Sequence, residues 1–399
     1  MTLTLLVSAG VLAGCASPGS VESVTAIDVP GGGEAGMYSL AAGADGKAYL
    51  SWLDASDTNR ALRFSVLDGG QWSASRTIVE GAHVFSNWAD HPSIAAMDDG
   101  TLVAQWPVIN AGKPTPGSYN NSIRVAVSRD EGATWTEVFA DGLDNVHSYS
   151  GFMTLLPGAR GFSAIYLTPP RPISHDPADH VMTLSHMTVD AGGRSSGPTV
   201  VDEDTCSCCP TAFASTADGP IAVYRDHEPG EIRDIAVVRL VEGQWTTPRP
   251  VHRDGWRLNG CPTNGPDVAA DGRDVAVAWF TAAGDAPRMQ VAFSRDAGAT
   301  FDRPAVVDGG NPIGRAALVM LPDRSAVVAW LDGQSGGAAA LRLRRVTAAG
   351  RLGPVVTAGA APSGRAVGMP QMVRLGDSLL LVWRGQSGLQ AARVPVSLL

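Results

Sequence analysis

Two stretches decide the fold: Ser128-Arg129-Asp130-Glu131-Gly132-Ala133-Thr134-Trp135 and Ser294-Arg295-Asp296-Ala297-Gly298-Ala299-Thr300-Phe301. Each sets an aspartate two residues after a serine, a glycine two residues later, then a hydroxyl residue and an aromatic. A carboxylate at that spacing can accept the amides of its own turn, and the glycine admits a positive φ. Asp130, Gly132, Trp135, Asp296, Gly298 and Phe301 are therefore read as structural residues of a tight turn between strands, with the aromatic packing into the body of the fold.

Outward from these turns the chain repeats. A short apolar run, a turn such as Ala44-Asp45-Gly46, Asp98-Asp99-Gly100, Ala217-Asp218-Gly219 or Ala270-Asp271-Gly272, and a second run ending in an aromatic recur along the sequence. The aromatics are Trp52, Trp106, Tyr166, Tyr224, Trp279, Trp330 and Trp383, spaced by 54, 60, 58, 55, 51 and 53 residues. A third strand, a Gly-rich turn and a fourth strand complete each unit. Alternating apolar residues without a sustained helical period make these units four-stranded and antiparallel. Repeats of that length with four strands predict an all-β fold, a β-propeller. Seven aromatics in register predict seven blades, with six as the alternative. The last unit supplies only three strands, and residues 24–29 are expected to close the ring by donating the missing outer one.

The two turn motifs resemble the Asp box, S-x-D-x-G-x-[ST]-[WF], of sialidases and other propellers built from bacterial neuraminidase repeats. Degenerate copies at Asp68-Gly69-Gly70-Gln71-Trp72 and Glu242-Gly243-Gln244-Trp245 extend the resemblance over nearly the whole of residues 24–399, read as one domain. It implies a sialidase-like scaffold, and Asp boxes themselves carry no catalysis. For sialidases the family implies an arginine triad, a Tyr nucleophile paired with Glu, and an Asp acid/base. Arg233, Arg315 and Arg365 are the candidate triad, with Glu231 and Asp226 as candidate catalytic carboxylates. The sequence departs from the pattern at two points: it has no Arg-Ile-Pro segment near the N-terminus and no tyrosine after Tyr224.

Composition limits the partners. Asp+Glu 39 against Lys+Arg 30 give a net charge of -9, which argues against a binder of nucleic-acid phosphates. Gly 46 and Pro 27 with only 17% charged residues fit a turn-rich β protein with a large core.

In an antiparallel meander, connections alternate between the two ends of each blade. Asp-Gly turns and Asp boxes therefore share one face. The inter-blade and second-to-third-strand loops share the other, which holds most histidines and Cys206, Cys208, Cys209 and Cys261. Loops on a rigid scaffold carry sites. Thr205-Cys206-Ser207-Cys208-Cys209-Pro210 opens the fourth unit and Gly260-Cys261-Pro262 opens the fifth at the equivalent place, so the four cysteines are expected to meet. Three readings stay open: paired disulfides stapling the two units, thiolates that, with His91 and His147, hold copper or zinc, or a redox-active pair.

Residues 1–14 are apolar and end in Leu12-Ala13-Gly14-Cys15, which resembles the lipobox of bacterial lipoproteins. The resemblance implies cleavage before Cys15, lipidation of its thiol, and a tether over 15–23 that holds the protein to a membrane, with the outer membrane preferred. Three functions are thus in play. They are a lipid-anchored envelope propeller binding a ligand or soft metal on its Cys/His-rich face, an exo-acting glycoside hydrolase on glycans, and a scaffold with structural disulfides.

Overall fold

The computed structural model describes residues 23–31, 35–55, 60–81, 83–85, 87–109, 121–141, 149–170, 181–362, 364 and 368–399. Its strands form seven antiparallel sheets, each a blade. From the centre outward, blade 1 runs over Ala35–Ala42, Ala48–Ala55, Arg60–Asp68 and a split outer strand, Gln71–Trp72 with Arg76–Glu80. Blades 2 to 6 begin with Ser93–Ala96, Gly151–Gly158, Ala212–Thr216, Asp267–Asp271 and Pro312–Met320. Blade 7 has three strands of its own, Gln371–Leu375, Ser378–Gly385 and Gly388–Pro395. Its outer strand is Thr25–Ile27, with Thr25 opposite Arg393 and Ile27 opposite Ala391. Seven blades and N-terminal closure are as the repeat predicts, and the closing strand covers the outer edge of Gly388–Pro395.

The reason for the repeating aromatic is visible in the packing. Apolar residues form seven clusters, one at each seam between neighbouring blades. Alternate residues of a second strand feed opposite seams. In blade 5, Val275, Val277 and Trp279 pack toward blade 4, whereas Ala276, Ala278 and Phe280 pack toward blade 6. All seven register aromatics face the preceding blade, and all are buried. Truncating one to alanine, Trp279 for example, is expected to cost roughly 3–5 kcal/mol.

The Asp boxes work on the same seams, where their aromatics pack between their own blade and the preceding one. In blade 2, Asp130 accepts from the Ser128 hydroxyl at 2.8 Å, the Thr134 amide at 2.9 Å and the Thr134 hydroxyl at 2.6 Å. The Gly132 amide donates to Ser128 Oγ at 2.8 Å. The bonds from Thr134, with help from Ser128, hold the Asp130 carboxyl down to about 2. Gly132 has φ 85°, and a Cβ there would sit 2.3 Å from Phe64 of blade 1. Trp135 meets the same Phe64 edge-on at 6.0 Å. Blade 5 repeats the arrangement, with Gly298 pressed on Ile221 and Phe301 in the seam with blade 4. The degenerate copies keep only the tight hairpin, pairing Asp68 with Gln71 and Val241 with Gln244.

Candidate functional site

On the opposite face the innermost strands enclose a central cavity of about 520 Å³, lined by residues of every blade. Its mouth is built by bulges. The inner strands of blades 1, 3 and 6 slip register at Met37, Phe152 and Arg315, each with positive φ (30°, 54° and 64°). A bulge re-aims the side chains beside it. Two of these kinks are stapled by the loop that opens the preceding blade. Asp90 Oδ1 accepts the Phe152 amide at 2.8 Å, and Asn264 Oδ1 accepts the Arg315 amide at 2.8 Å. Glycine precedes both kinks for lack of space: a Cβ on Gly151 would lie 2.1 Å from Asp90 Oδ2, and one on Gly314 would lie 2.3 Å from Asn264 Oδ1.

Asp90 is the chemically conspicuous group of this cavity. It is 2% exposed, its second oxygen has no hydrogen-bond partner among the described residues, and burial pushes its carboxyl up to about 7. Burial lowers His91, whose Nε2 lies 2.9 Å from the Trp88 carbonyl and whose ring tilts against Tyr38 at 6.0 Å. The Arg315 guanidinium stacks on Trp88, 4.6 Å from the ring centre. Asp267, another lining residue, is likewise raised to about 7 by burial.

Beside the mouth, at the entry to blade 4, lie the thiols. Cys206 Sγ is 3.8 Å from Cys208 Sγ and 3.6 Å from Cys209 Sγ, and the three sulfurs all lie within 4.8 Å of one another. Cys261 arrives from the entry to blade 5 and reaches the Cys208 thiol. None of the four described cysteines is in a disulfide; Cys206 and Cys209 are each 2% exposed, Cys208 is half-buried and Cys261 exposed. The two loops come together because Gly265 has no side chain: a Cβ there would be 2.1 Å from the Pro210 carbonyl oxygen. The neighbouring Cys208 and Cys209 thiols hold the Cys206 sulfhydryl well below its usual range, while burial pushes Cys209 up to about 12.

Under this cluster lies a residue the site prediction missed. Arg225 is 1% exposed and has no carboxylate partner among the described residues. It donates from Nε at 2.9 Å and Nη2 at 2.6 Å to the Asn264 carbonyl, from Nη2 to Phe280 O at 2.8 Å, and from Nη1 to Arg233 O. It also stacks 4.7 Å over the Trp256 ring. Its own carbonyl accepts the Cys206 amide at 3.1 Å. One buried cation thus ties the blade 4 thiol loop to the loop that carries Cys261. Its signal was its place directly after the register aromatic Tyr224.

The other candidates separate. Glu231 and Arg233 form an ion pair at 2.6 Å, with His227 between Asp204 (2.8 Å) and Glu231 (3.6 Å). Asp226 lies in the same second-to-third-strand loop and is raised to about 7 by burial and then by Asp202. None of these lines the cavity into which Arg315 faces, so Arg233 and Arg315 are not brought together as two members of one triad. His91 lines that cavity and is not among the sulfurs that group at the entry to blade 4. His147, Arg365 and Cys15 lie outside the described residues.

No protein-family model matches the chain, and a search of curated proteins finds no match. Among solved structures, the NanB sialidase from Streptococcus pneumoniae superposes with a TM-score of 0.51 at 11% identity, over 92% of this chain and 69% of that one. A protein of unknown function from Dyadobacter fermentans superposes with a TM-score of 0.51 at 13% identity, over 94% and 97%. At such identities the likeness concerns architecture alone, and by architecture the chain is a sialidase-like β-propeller of seven blades.

Proposed function

We propose that this propeller, lipid-anchored to the cell envelope through Cys15, binds one soft metal ion, Cu(I) or Zn(II), through Cys206, Cys208, Cys209 and Cys261. The observation that carries the reading is the sulfur spacing. Thiolates about 2.3 Å from a tetrahedral ion sit about 3.8 Å apart, against the 3.6 and 3.8 Å measured from Cys206. A disulfide needs about 2.05 Å. Thiolates are the ligands soft ions prefer, and the buried Arg225 cation beside them offsets part of their summed charge. The test is the native mass of protein purified from an envelope fraction without reductant or chelator. The expected result is one ion per chain with four reduced cysteines. A deficit of two hydrogens per bridge and no ion would contradict the reading in favour of a disulfide-stapled scaffold. The same spectrum tests the anchor, since a mature chain starting at acylated Cys15 has a distinct mass.

A second reading, an exo-acting glycan-cleaving enzyme, is favoured by the Asp90 oxygen left without a partner in the cavity. A buried carboxyl raised to about 7 has the poise of a general acid. Turnover of a glycoside that Asp90→Asn abolishes and Glu231→Gln leaves intact would support it; turnover insensitive to Asp90→Asn would refute it.

A further inference from the structure

We infer that the thiol cluster is an exchange site, with Cys261 as the detachable ligand through which the ion passes to or from the thiolate of another molecule. The inference rests on the metal reading and deepens it. Structural metal sites are closed and saturated by buried ligands. Here the cluster is split into a buried half, Cys206 and Cys209, and an accessible half, the half-buried Cys208 and the exposed Cys261.

The two halves differ in attachment too. Cys206, Cys208 and Cys209 ride on one short segment that opens blade 4, tied at its start by the Cys206 amide to the Arg225 carbonyl. Cys261 comes from the loop that opens blade 5. It lies between Gly260, beside which a Cβ would meet open space, and Pro262, which has no amide hydrogen to hold it. Behind it the chain is anchored again by Asn264, whose Oδ1 accepts the Arg315 amide and whose carbonyl accepts Arg225. The loop can therefore release its sulfur without disturbing the blades on either side.

The step is an associative ligand exchange. The incoming thiolate forms a bond to the ion as the bond to the Cys261 sulfur breaks. The proton lost by the incoming thiol is taken up, through solvent, by the released Cys261 thiolate. No electron moves, so the ion keeps its oxidation state, and the buried sulfurs hold it until the acceptor has engaged.

The experiment uses the full chain loaded anaerobically with Zn(II) and follows transfer of zinc to dithiothreitol. For the wild type, the rate is expected to rise in proportion to dithiothreitol concentration. Cys261→Ser is expected to bind zinc more weakly and, once loaded at excess zinc, to release it faster by roughly tenfold, because three thiolates and a weak oxygen donor remain. Cys261→Ala, which supplies no donor, should release it at least as fast. Normal loading with a transfer rate that is independent of dithiothreitol and unchanged in both variants would overturn the exchange role and leave the metal reading standing. Failure of the wild type to load zinc or Cu(I) at all would overturn the metal reading, and the exchange role with it.

Discussion

The two ends of this ring treat their carboxylates in opposite ways. At the Asp-box end, Asp130 and Asp296 are each surrounded by hydroxyl and amide donors of their own turns, and both are held down to about 2. At the other end desolvation raises Asp90, Asp226 and Asp267 to about 7, with Asp202 adding to the rise at Asp226, even though Asp267 accepts the Val268 and Leu318 amides. The first arrangement stabilises the fold. The second, with four thiols outside any disulfide and an arginine that has no carboxylate partner among the described residues, is costly for a fold that had only to be stable. Perturbed groups of that kind collect at functional sites, which is why the proposed site is placed at this end.

Substitutions can break or sharpen this contrast. The largest effect is expected from Cys206→Ser, which removes the sulfur nearest to both neighbours. Zinc affinity should fall by roughly 100-fold or more while the unfolding free energy moves by about 1 kcal/mol or less, read by titration and by urea denaturation. Arg225→Ala comes next. It leaves the carbonyls of Asn264, Phe280 and Arg233 without their donor, and the cost should be roughly 3 kcal/mol, with weaker zinc binding as the loop of Cys261 loosens. At the other end, Gly298→Ala forces a left-handed alanine against Ile221, so roughly 2–3 kcal/mol of stability should be lost with zinc stoichiometry unchanged. Equal effects of Gly298→Ala on both readouts would erase the distinction.

The smallest effect is on pH dependence. The raised carboxyls are protonated in the folded chain below about 7, against an ordinary 3.8, so their contribution is greatest in acid and is lost as pH rises through 7. The Asp-box carboxyls behave in reverse: their contribution is present above 3.8 and is lost as pH falls toward 2. Urea midpoints should therefore peak near pH 4, fall as pH rises from there to about 7, and fall again as pH drops toward 2. Asp90→Asn should flatten the neutral side alone. A profile rising steadily from pH 5 to 8 would contradict the assignment of these three groups.

Much of the architecture was legible because its cause repeats. Trp52, Trp106, Tyr166, Tyr224, Trp279, Trp330 and Trp383 recur because each fills the same seam, and a periodic physical need leaves a periodic sequence. Asp boxes are local, so their bonds follow from spacing. The cysteine cluster was half legible: equivalent entries to adjacent blades foretold that Cys261 meets Cys208. The placement of His91, Glu231 and Arg233 was not, because sharing a face does not fix radius from the axis. Arg233 sits on the second-to-third-strand loop with its Glu231 partner, whereas Arg315 sits on the innermost strand. Asp90 as a lone buried carboxyl depends on Gly151 and Phe152 of another blade, a contact 62 residues away that no local pattern records.

The most direct test of the account is X-ray absorption at the zinc edge of the loaded, reduced full-length protein. Three to four sulfur neighbours at about 2.3 Å are predicted, with no dominant shell of lighter atoms. A first shell of nitrogen and oxygen alone would place the ion elsewhere on the molecule and contradict the thiolate site.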